Sequence, residues 1–340
     1  MRRAGGLFAQ VIGFTQLIEA TERAWRGRKN QRGLEALRFM VERERRVLAL
    51  QRALREETWH PGALRAFVIR DPKLRLICAA PFEDRVVHHA LCAAISPRLD
   101  AALSRQSHAC RVGYGTHSAL KSAQRLARAY PFALRLDVAH YFESIPHDSL
   151  CARFARLFKE PPLLALIERI IRHPTPFGPR DRGLPIGSLT SQHAANLYLS
   201  ELDHALPRRF KLGYVRYMDD LVIGVSSASE AWRVHDFVQA HLAERGLTLK
   251  PSATQLASTS AGFQFLGFRL WPHRVRLDAA RRRRLVRRVI QLKRDATRGH
   301  DEGALRARSE GVNAWASLGD SRGLRASLWA RHGLDFDLDP

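Results

Sequence analysis

Cysteine is scarce in this chain: four residues in 340, with no two close enough to form a CxxC pair. Cys78, Cys92, Cys110 and Cys151 therefore exclude a disulfide-stapled fold and a cysteine-built zinc site, and they fit a reducing compartment. No apolar run approaches the ~20 residues that a membrane-spanning helix needs, so no membrane partner is expected. The stretch MRRAGGLFAQVIGFTQ has a basic end but only a short, glycine-broken apolar run and no small-residue cleavage site. It is not read as a signal peptide, and a cytoplasmic setting is expected. HExxH, GxSxG and a Walker A loop are missing, and RVGYGTHS begins a GxGxxG pattern that fails at Ser118. These gaps argue against zinc peptidase, serine hydrolase, P-loop and dinucleotide-binding chemistry. The pair His88-His89 lies in the apolar segment VVHHALCAAI and reads as structural rather than metal-binding.

Acidic residues are also in deficit. Lys plus Arg number 56 against 33 Asp plus Glu, a net charge of +23 and a pI near 11.1. A GC-rich genome explains Arg over Lys, but not so large an uncompensated excess. The balance points to a polyanionic partner, most simply nucleic acid, for which the Arg fork suits bidentate phosphate contacts. With 45% hydrophobic residues the chain should fold, and its length suggests about two domains or subdomains.

Periodicity predicts helices over 16–58 and 82–104, with two short strands about a DP turn at 66–80 between them. RVGYGTH (111–117) reads as a glycine-rich loop before a helix at 118–129. A strand, FALRLDV (132–138), precedes a helix from about 147, a loop over 172–186 and a helix over 189–206. The run at 214–225 reads as a hairpin, followed by a helix at 229–245 and strands at 247–250 and 263–270. From 279 the composition shifts: ARRRRLVRRVIQLKR sets Leu285, Val289 and Leu292 along one helical face. Seven Arg fall in the fourteen residues 281–294 with almost no acid to pair them, which favours a phosphate-tracking helix over a solvated charged face. Strands and helices in mixed order, without regular βαβ alternation, indicate an α+β class.

Two adjacent aspartates, Asp219 and Asp220, sit at the centre of the hairpin YVRYMDDLVIGV. Unpaired carboxylates in a buried hairpin are costly, so a cation must offset them. A lone DD pair is weak evidence, because Asp is a common turn residue. Asp137 strengthens it by ending the strand FALRLD, a sheet neighbour of the hairpin. Three hard oxygen donors without His or Cys suit Mg²⁺ rather than zinc. Two such ions about 3.5–4 Å apart would clamp the attacking and leaving oxygens of a phosphoryl transfer.

The segments RLDVAHYFESIPH, GLPIGSLTSQHAANLYL, YVRYMDDLVIG and FQFLGF resemble, in order and spacing, the palm motifs of reverse transcriptases. IRDPKLRLICAAPFEDRVVHHAL and HACRVGYGTHSAL resemble the finger motifs of the bacterial members. In GLPIGSLTSQ most members carry Gln before the Gly and Pro after the Ser. Ile186 and Gln192 stand there instead, a combination that resembles the reverse transcriptases of diversity-generating retroelements, which copy a template RNA with frequent errors at adenines.

The resemblance implies a right-hand polymerase: fingers over 1–130, palm over 131–272, and a short helical thumb over 273–340. It implies that Asp137, Asp219 and Asp220 are catalytic and hold two Mg²⁺ ions. Phe142 falls at the family's sugar-sensing position, where a ring excludes a ribose 2′-hydroxyl, although Tyr141 or Phe142 also reads as a core aromatic. Lys73 and Arg75, with Arg111 beside them, match positions that hold the incoming triphosphate. Ile186, Gly187, Ser191 and Gln192 would line the pocket for template base and incoming nucleotide. Arg281, Arg284, Arg287 and Arg288 would face the template–primer duplex. Implied partners are template RNA, primer or cDNA, dNTPs and a small basic accessory protein that is pentameric in the family, in a bacterial cytoplasm. One departure stands out: LKPSATQ carries Ala253 where the family has Lys, and Lys250 lies three residues earlier. Retron, group II intron-like and defence-associated reverse transcriptases are alternatives, as is a catalytically dead RNA-binding protein. The three intact acids weigh against the last.

Overall fold

The computed structural model describes residues 3–26, 33–70, 74–175, 178–299 and 301–333. Four helices open the chain: α1 (Phe8–Val11), α2 (Phe14–Arg26), α3 (Leu34–Val41) and α4 (Arg43–Arg55). The antiparallel pair β1 (Arg65–Arg70) and β2 (Leu74–Ala79) precedes α5 (Phe82–Ala102) and α6 (Thr116–Ala129). β3 (Phe132–Asp137) is followed by α7 (Tyr141–Ser144), α8 (His147–Leu157), α9 (Pro161–Ile171), α10 (Leu189–Tyr198) and α11 (Ser200–Arg209). The hairpin β4 (Tyr214–Tyr217) and β5 (Asp220–Val225) leads to α12 (Ala228–Ala243). Four short strands follow: β6 (Gln255–Ser258), β7 (Phe263–Phe265), β8 (Phe268–Trp271) and β9 (Arg274–Leu277). α13 (Ala279–Thr297), α14 (Glu302–Ala316) and α15 (Arg322–Arg331) complete the sequence of elements, an α+β arrangement with antiparallel sheets. Among the described residues no helix is long and apolar enough to cross a membrane, and the four cysteines are free thiols.

The chain forms two compact units. The first gathers Met1–Arg111, Val138–Arg209 and Phe237–Leu249. Its central helix is α5, which buries Val86, Val87, Ala90, Leu91, Ile95 and Leu99 and packs on α2 and α10. A helix apolar around so much of its surface belongs in a core. At the start of α5, Asp84 is 4% exposed and accepts a 2.8 Å hydrogen bond from Gly62 N.

The second unit gathers Val112–Asp137, Phe210–Asp236 and Lys250–Pro340. A four-stranded antiparallel sheet runs in the order β4-β5-β3-β6, and a second, three-stranded sheet in the order β7-β8-β9. Ala119, Leu120, Ala123 and Leu126 of α6 pack with Ala133, Val215 and Val222 of the first sheet and with Phe263, Phe265, Phe268 and Leu270 of the second. Each such Val, Leu or Phe contributes about 1.5–3 kcal/mol on leaving water. Gly224 lets this layer close: a Cβ there would stand 2.4 Å from the Tyr130 ring. A separate core joins Leu285, Val289 and Leu292 of α13 to Leu305, Val312, Leu328 and Trp329 of α14 and α15. α13 starts where Asp278 caps it, its carboxylate accepting from Arg281 N at 2.7 Å.

Two expected strands come out differently. The run 263–270 is a hairpin, because Leu266 and Gly267 both take positive φ (49° and 76°) and reverse the chain between β7 and β8. The piece at 247–250 makes only an isolated bridge, Leu249 with Val138. The expected helices over 16–58 and 189–206 are each divided, the second between α10 and α11. The DP turn falls at residues outside those described.

Burial of Asp84 predicts a pH dependence. Its carboxyl is pushed up from 3.8 to about 7, first by burial and further by the nearby Glu83 and Glu35, against the Gly62 hydrogen bond. The folded chain then keeps a proton that the unfolded chain releases, so this group's contribution to stability is present below about pH 4 and is lost as pH rises to about 7. Asp84→Asn is expected to flatten that part of the curve of denaturant midpoint against pH. An unaltered slope would contradict the burial assignment.

Candidate active site

β3 alternates as a half-buried strand should: Leu134 and Leu136 face one side, and Ala133, Arg135 and Asp137 the other. The antiparallel register pairs Asp137 with Asp220, Leu136 with Leu221 and Arg135 with Val222. Directly opposed residues share a face, so the carboxylates of Asp137 and Asp220 emerge side by side from neighbouring strand ends. Like charges so opposed are destabilising. Arg135 relieves this. Its Nε and Nη2 donate to the two oxygens of Asp220 at 3.0 and 3.2 Å, a bidentate fork.

Met218 and Asp219 form the two-residue turn between β4 and β5. Met218 takes φ +60° while Asp219 does not enter the positive region, the pattern of a turn that ordinarily carries Gly at its first central position. Such a conformation in a non-glycine residue costs about 1–3 kcal/mol. Arg216 helps hold it: it is fully buried, and its Nη1 donates to the Met218 carbonyl at 2.9 Å. The strained turn fixes Asp219 one residue from the paired Asp220.

Asp137 is half-buried, and its carboxylate makes no hydrogen bond or ion pair within the described residues. Its backbone carbonyl accepts from Lys250 N at 2.8 Å, so Lys250 is tied to the end of β3 that carries the acid. Ala253 lies in the short 3-10 turn that follows. An unpartnered carboxylate beside a second one, with a third in the adjoining turn, fits a hard divalent cation such as Mg²⁺ in donor chemistry and charge. Among the described residues no three acidic, His or Cys side chains already converge on one point, and the Asp220 carboxylate is turned to Arg135.

The other sequence-selected residues divide between the units. In the first, Leu184 N donates to the Phe142 carbonyl at 2.7 Å, and Cys78 N to the Ile186 carbonyl at 2.8 Å. The segment from Gly183 to Ser188 thus joins the residues after β3 to strand β2. Gly187 takes φ +114°, and a Cβ there would meet Ile77 at 2.9 Å and the Cys78 carbonyl at 3.3 Å. Ser188 Oγ contacts His88 Nδ1 at 2.9 Å, and burial pulls His88 down to about 4, so its imidazole is neutral and structural. Tyr141 is the core aromatic of its pair, 2% exposed with its hydroxyl donating to the Ala195 carbonyl, while Phe142 is half-buried. Ser191 is buried on α10, and Gln192 is exposed with Oε1 accepting from Cys110 Sγ at 3.5 Å. Arg75 is exposed on β2, and Lys73 lies outside the described residues.

Arg111 is engaged within the first unit. Its side chain is 8% exposed, and its guanidinium donates to Ser104 O, Ser107 O, Asp100 O and Asp100 Oδ1 at 2.7–3.3 Å. It closes the C-terminus of α5, where cations favour the helix dipole and carbonyls lack partners.

In the second unit, Arg281, Arg284 and Arg288 lie over the Trp315 ring at 5.2, 5.8 and 5.3 Å, and Arg281 also lies over Phe268 at 4.5 Å. Arg287 is exposed. Sequence reasoning missed Trp315, Arg216 and Arg135. Arg135 was within reach, since a residue two before Asp137 shares its face, but its partner depends on strand register.

Comparison with known proteins adds a family to this geometry. The profile of the family described as reverse transcriptase (RNA-dependent DNA polymerase) matches residues 70–270, more than half of the chain. The group II intron-encoded protein LtrA of Lactococcus lactis subsp. cremoris is 23% identical over 167 residues, 47% of this chain and 28% of LtrA. An uncharacterized 91 kDa protein in the cob intron of Schizosaccharomyces pombe is 29% identical over 124 residues, 35% of this chain and 15% of that protein. The chain thus spans well under a third of these curated relatives. Among solved structures, telomerase from Candida albicans in complex with a fragment of telomeric RNA aligns with a TM-score of 0.49 at 12% identity, covering 81% of this chain and 55% of that one.

The buried arginine of the hairpin generates a stability prediction. Arg216→Met leaves the Met218 carbonyl without its donor, which is expected to cost about 1–3 kcal/mol in urea denaturation at unchanged m-value. A loss below about 0.5 kcal/mol would mean that Arg216 does not hold the turn.

Proposed function

The chain belongs to the reverse transcriptase (RNA-dependent DNA polymerase) family and shares its right-hand polymerase fold, and on that premise we propose that it copies a template RNA into cDNA. The observation that carries this reading is the register of β3 on β5, which sets Asp137 beside Asp220 with Asp219 in the adjoining turn. Two Mg²⁺ ions held by Asp137, Asp219 and Asp220 would supply stabilisation of the charge that develops as the primer 3′-hydroxyl attacks the α-phosphorus of a dNTP and the α–β phosphoanhydride bond breaks to release pyrophosphate. The chain's own residues do the rest. Arg135 offsets the Asp220 charge, and Arg216 holds the turn that presents Asp219. Phe142 is the ring to which we assign preference for a deoxyribonucleotide, by clash with a 2′-hydroxyl. Arg75, with Lys73, neutralises the triphosphate. The arginines of α13, gathered round Trp315, track the phosphates of the template–primer duplex. Replacing Asp219 and Asp220 together by Asn is expected to lower primer extension on an RNA template with Mg²⁺ by about a thousandfold. Extension at the parent rate would sink the reading.

Within the family we assign the chain to error-prone copying of a diversity-generating kind, in a bacterial cytoplasm with a small basic accessory protein as partner. Support comes from Ile186, which sets an apolar side chain where most members carry a hydrogen-bonding Gln, beside Gly187, Ser191 and Gln192. Losing that polar contact relaxes the geometric test on the template base and the incoming nucleotide. The intron-encoded relatives favour a second reading, a group II intron-like enzyme. Ile186→Gln separates the two: on an RNA template, misincorporation opposite adenine is expected to fall relative to the parent. Equal, low error rates in parent and variant would favour the intron-like reading.

A further inference from the structure

Arg135 meets the acidic cluster in a way that the polymerase reading alone leaves unexplained. It stands two residues before Asp137 on the same face of β3, diagonal to Asp220 across the β3–β5 pair. A long side chain spans that diagonal. Both partners are largely withdrawn from water, with side-chain exposures of 21% for Arg135 and 15% for Asp220. The planar guanidinium fork matches the two carboxylate oxygens in geometry as well as in charge. The fork engages both oxygens of Asp220 and so offsets one of the three negative charges that Asp137, Asp219 and Asp220 carry. On its other side Arg135 lines a cavity of about 280 Å³ with Gln255, Gln264 and Arg269. Gln255 is its register partner on β6. The guanidinium thus has room toward β6, where the carbonyl oxygens of Gln255 and Gln264 can accept its N–H groups, while Arg269 shares the lining.

We propose that Arg135 is a positioning residue that serves as the resident counter-cation of the acidic cluster. It holds the Asp220 carboxylate in place before a divalent ion arrives, weakens the cluster's affinity for that ion, and swings toward β6 when the ion binds. This rests on the polymerase reading of the same three carboxylates. Its consequence is a site that stays folded and soluble without metal, and that loads metal less tightly than three unopposed carboxylates would.

The test is a titration of Mn²⁺ into the full chain, without nucleic acid or nucleotide, reading free ion by electron paramagnetic resonance. Arg135→Gln is expected to bind Mn²⁺ about tenfold more tightly than the parent, or about 1.4 kcal/mol. Arg135→Lys, which keeps the charge but not the fork, is expected to stay within about threefold of the parent. In primer extension, Arg135→Gln should lower both the metal concentration for half-maximal rate and the maximal rate, since Asp220 loses its support. A merely structural role would not separate these two parameters. Unchanged or weaker Mn²⁺ binding by a folded Arg135→Gln protein would overturn the proposal.

Should Arg135→Gln fail to fold, the parent supplies its own readout. In ¹⁵N-arginine-labelled protein, the Nε–H resonance identified by its loss in Arg135→Lys is expected to shift as Mg²⁺ is added. A resonance unmoved through saturation overturns the proposal. The Asp219→Asn plus Asp220→Asn protein tells the two failures apart. If it binds Mn²⁺ as the parent does, the carboxylates are not the metal site and both readings fall. If it loses the ion while Arg135→Gln leaves affinity unaltered, only the counter-cation proposal falls.

Discussion

The antiparallel register of β3 on β5 is the constraint on which this site depends. It places Asp137 opposite Asp220, and in a sheet a slip of one residue would send one of the two carboxylates to the other face. The slip is prevented by burial: Leu134, Leu136, Leu221 and Ile223 are withdrawn from water on one face, and Ala133 and Val222 on the other. The same register that builds the acidic pair creates its electrostatic problem, because two like charges face each other across a strand pair. Arg135 is the local answer, and it is available only because the register also puts it diagonal to Asp220.

Strain and charge meet in the adjoining turn. Met218 sits in a backbone conformation that glycine would take at less cost, and the fully buried Arg216 is bonded to its carbonyl. A buried guanidinium tolerates no casual loss of its acceptors, so the turn and the arginine fix each other. Conformational strain in a turn is sustained by the structure around it. Here that surround is the core beneath the sheet, where Gly224 admits the Tyr130 ring and α6 closes the layer.

The basic excess of the chain is distributed by local structure rather than spread evenly as a field. Some arginines are consumed internally: Arg111 closes α5, and Arg153 pairs with Glu201 beneath Tyr198. Others are gathered into a stack around Trp315 on α14, which orders three guanidinium planes that would otherwise roam.

Much of this was legible in the residues. The alternation of FALRLD, the apolar flanks of the DD pair and the 3.6-residue spacing of Leu285, Val289 and Leu292 each follow from short-range periodicity, which a single sequence carries in full. The hairpin within 263–270 was missed although LGF held the signal, a Gly beside a residue at positive φ. The partners that Arg111 and Arg135 find were beyond reach for a different reason. Which acceptor a long cation finds depends on helix ends and strand registers brought together over many residues. By itself, then, the sequence determined the α+β class and singled out Asp137, Asp219 and Asp220, with the expectation that a cation offsets them. Only the tertiary structure decided that Arg135 forks onto Asp220, because a diagonal contact between two strands exists only once long-range pairing has set their register.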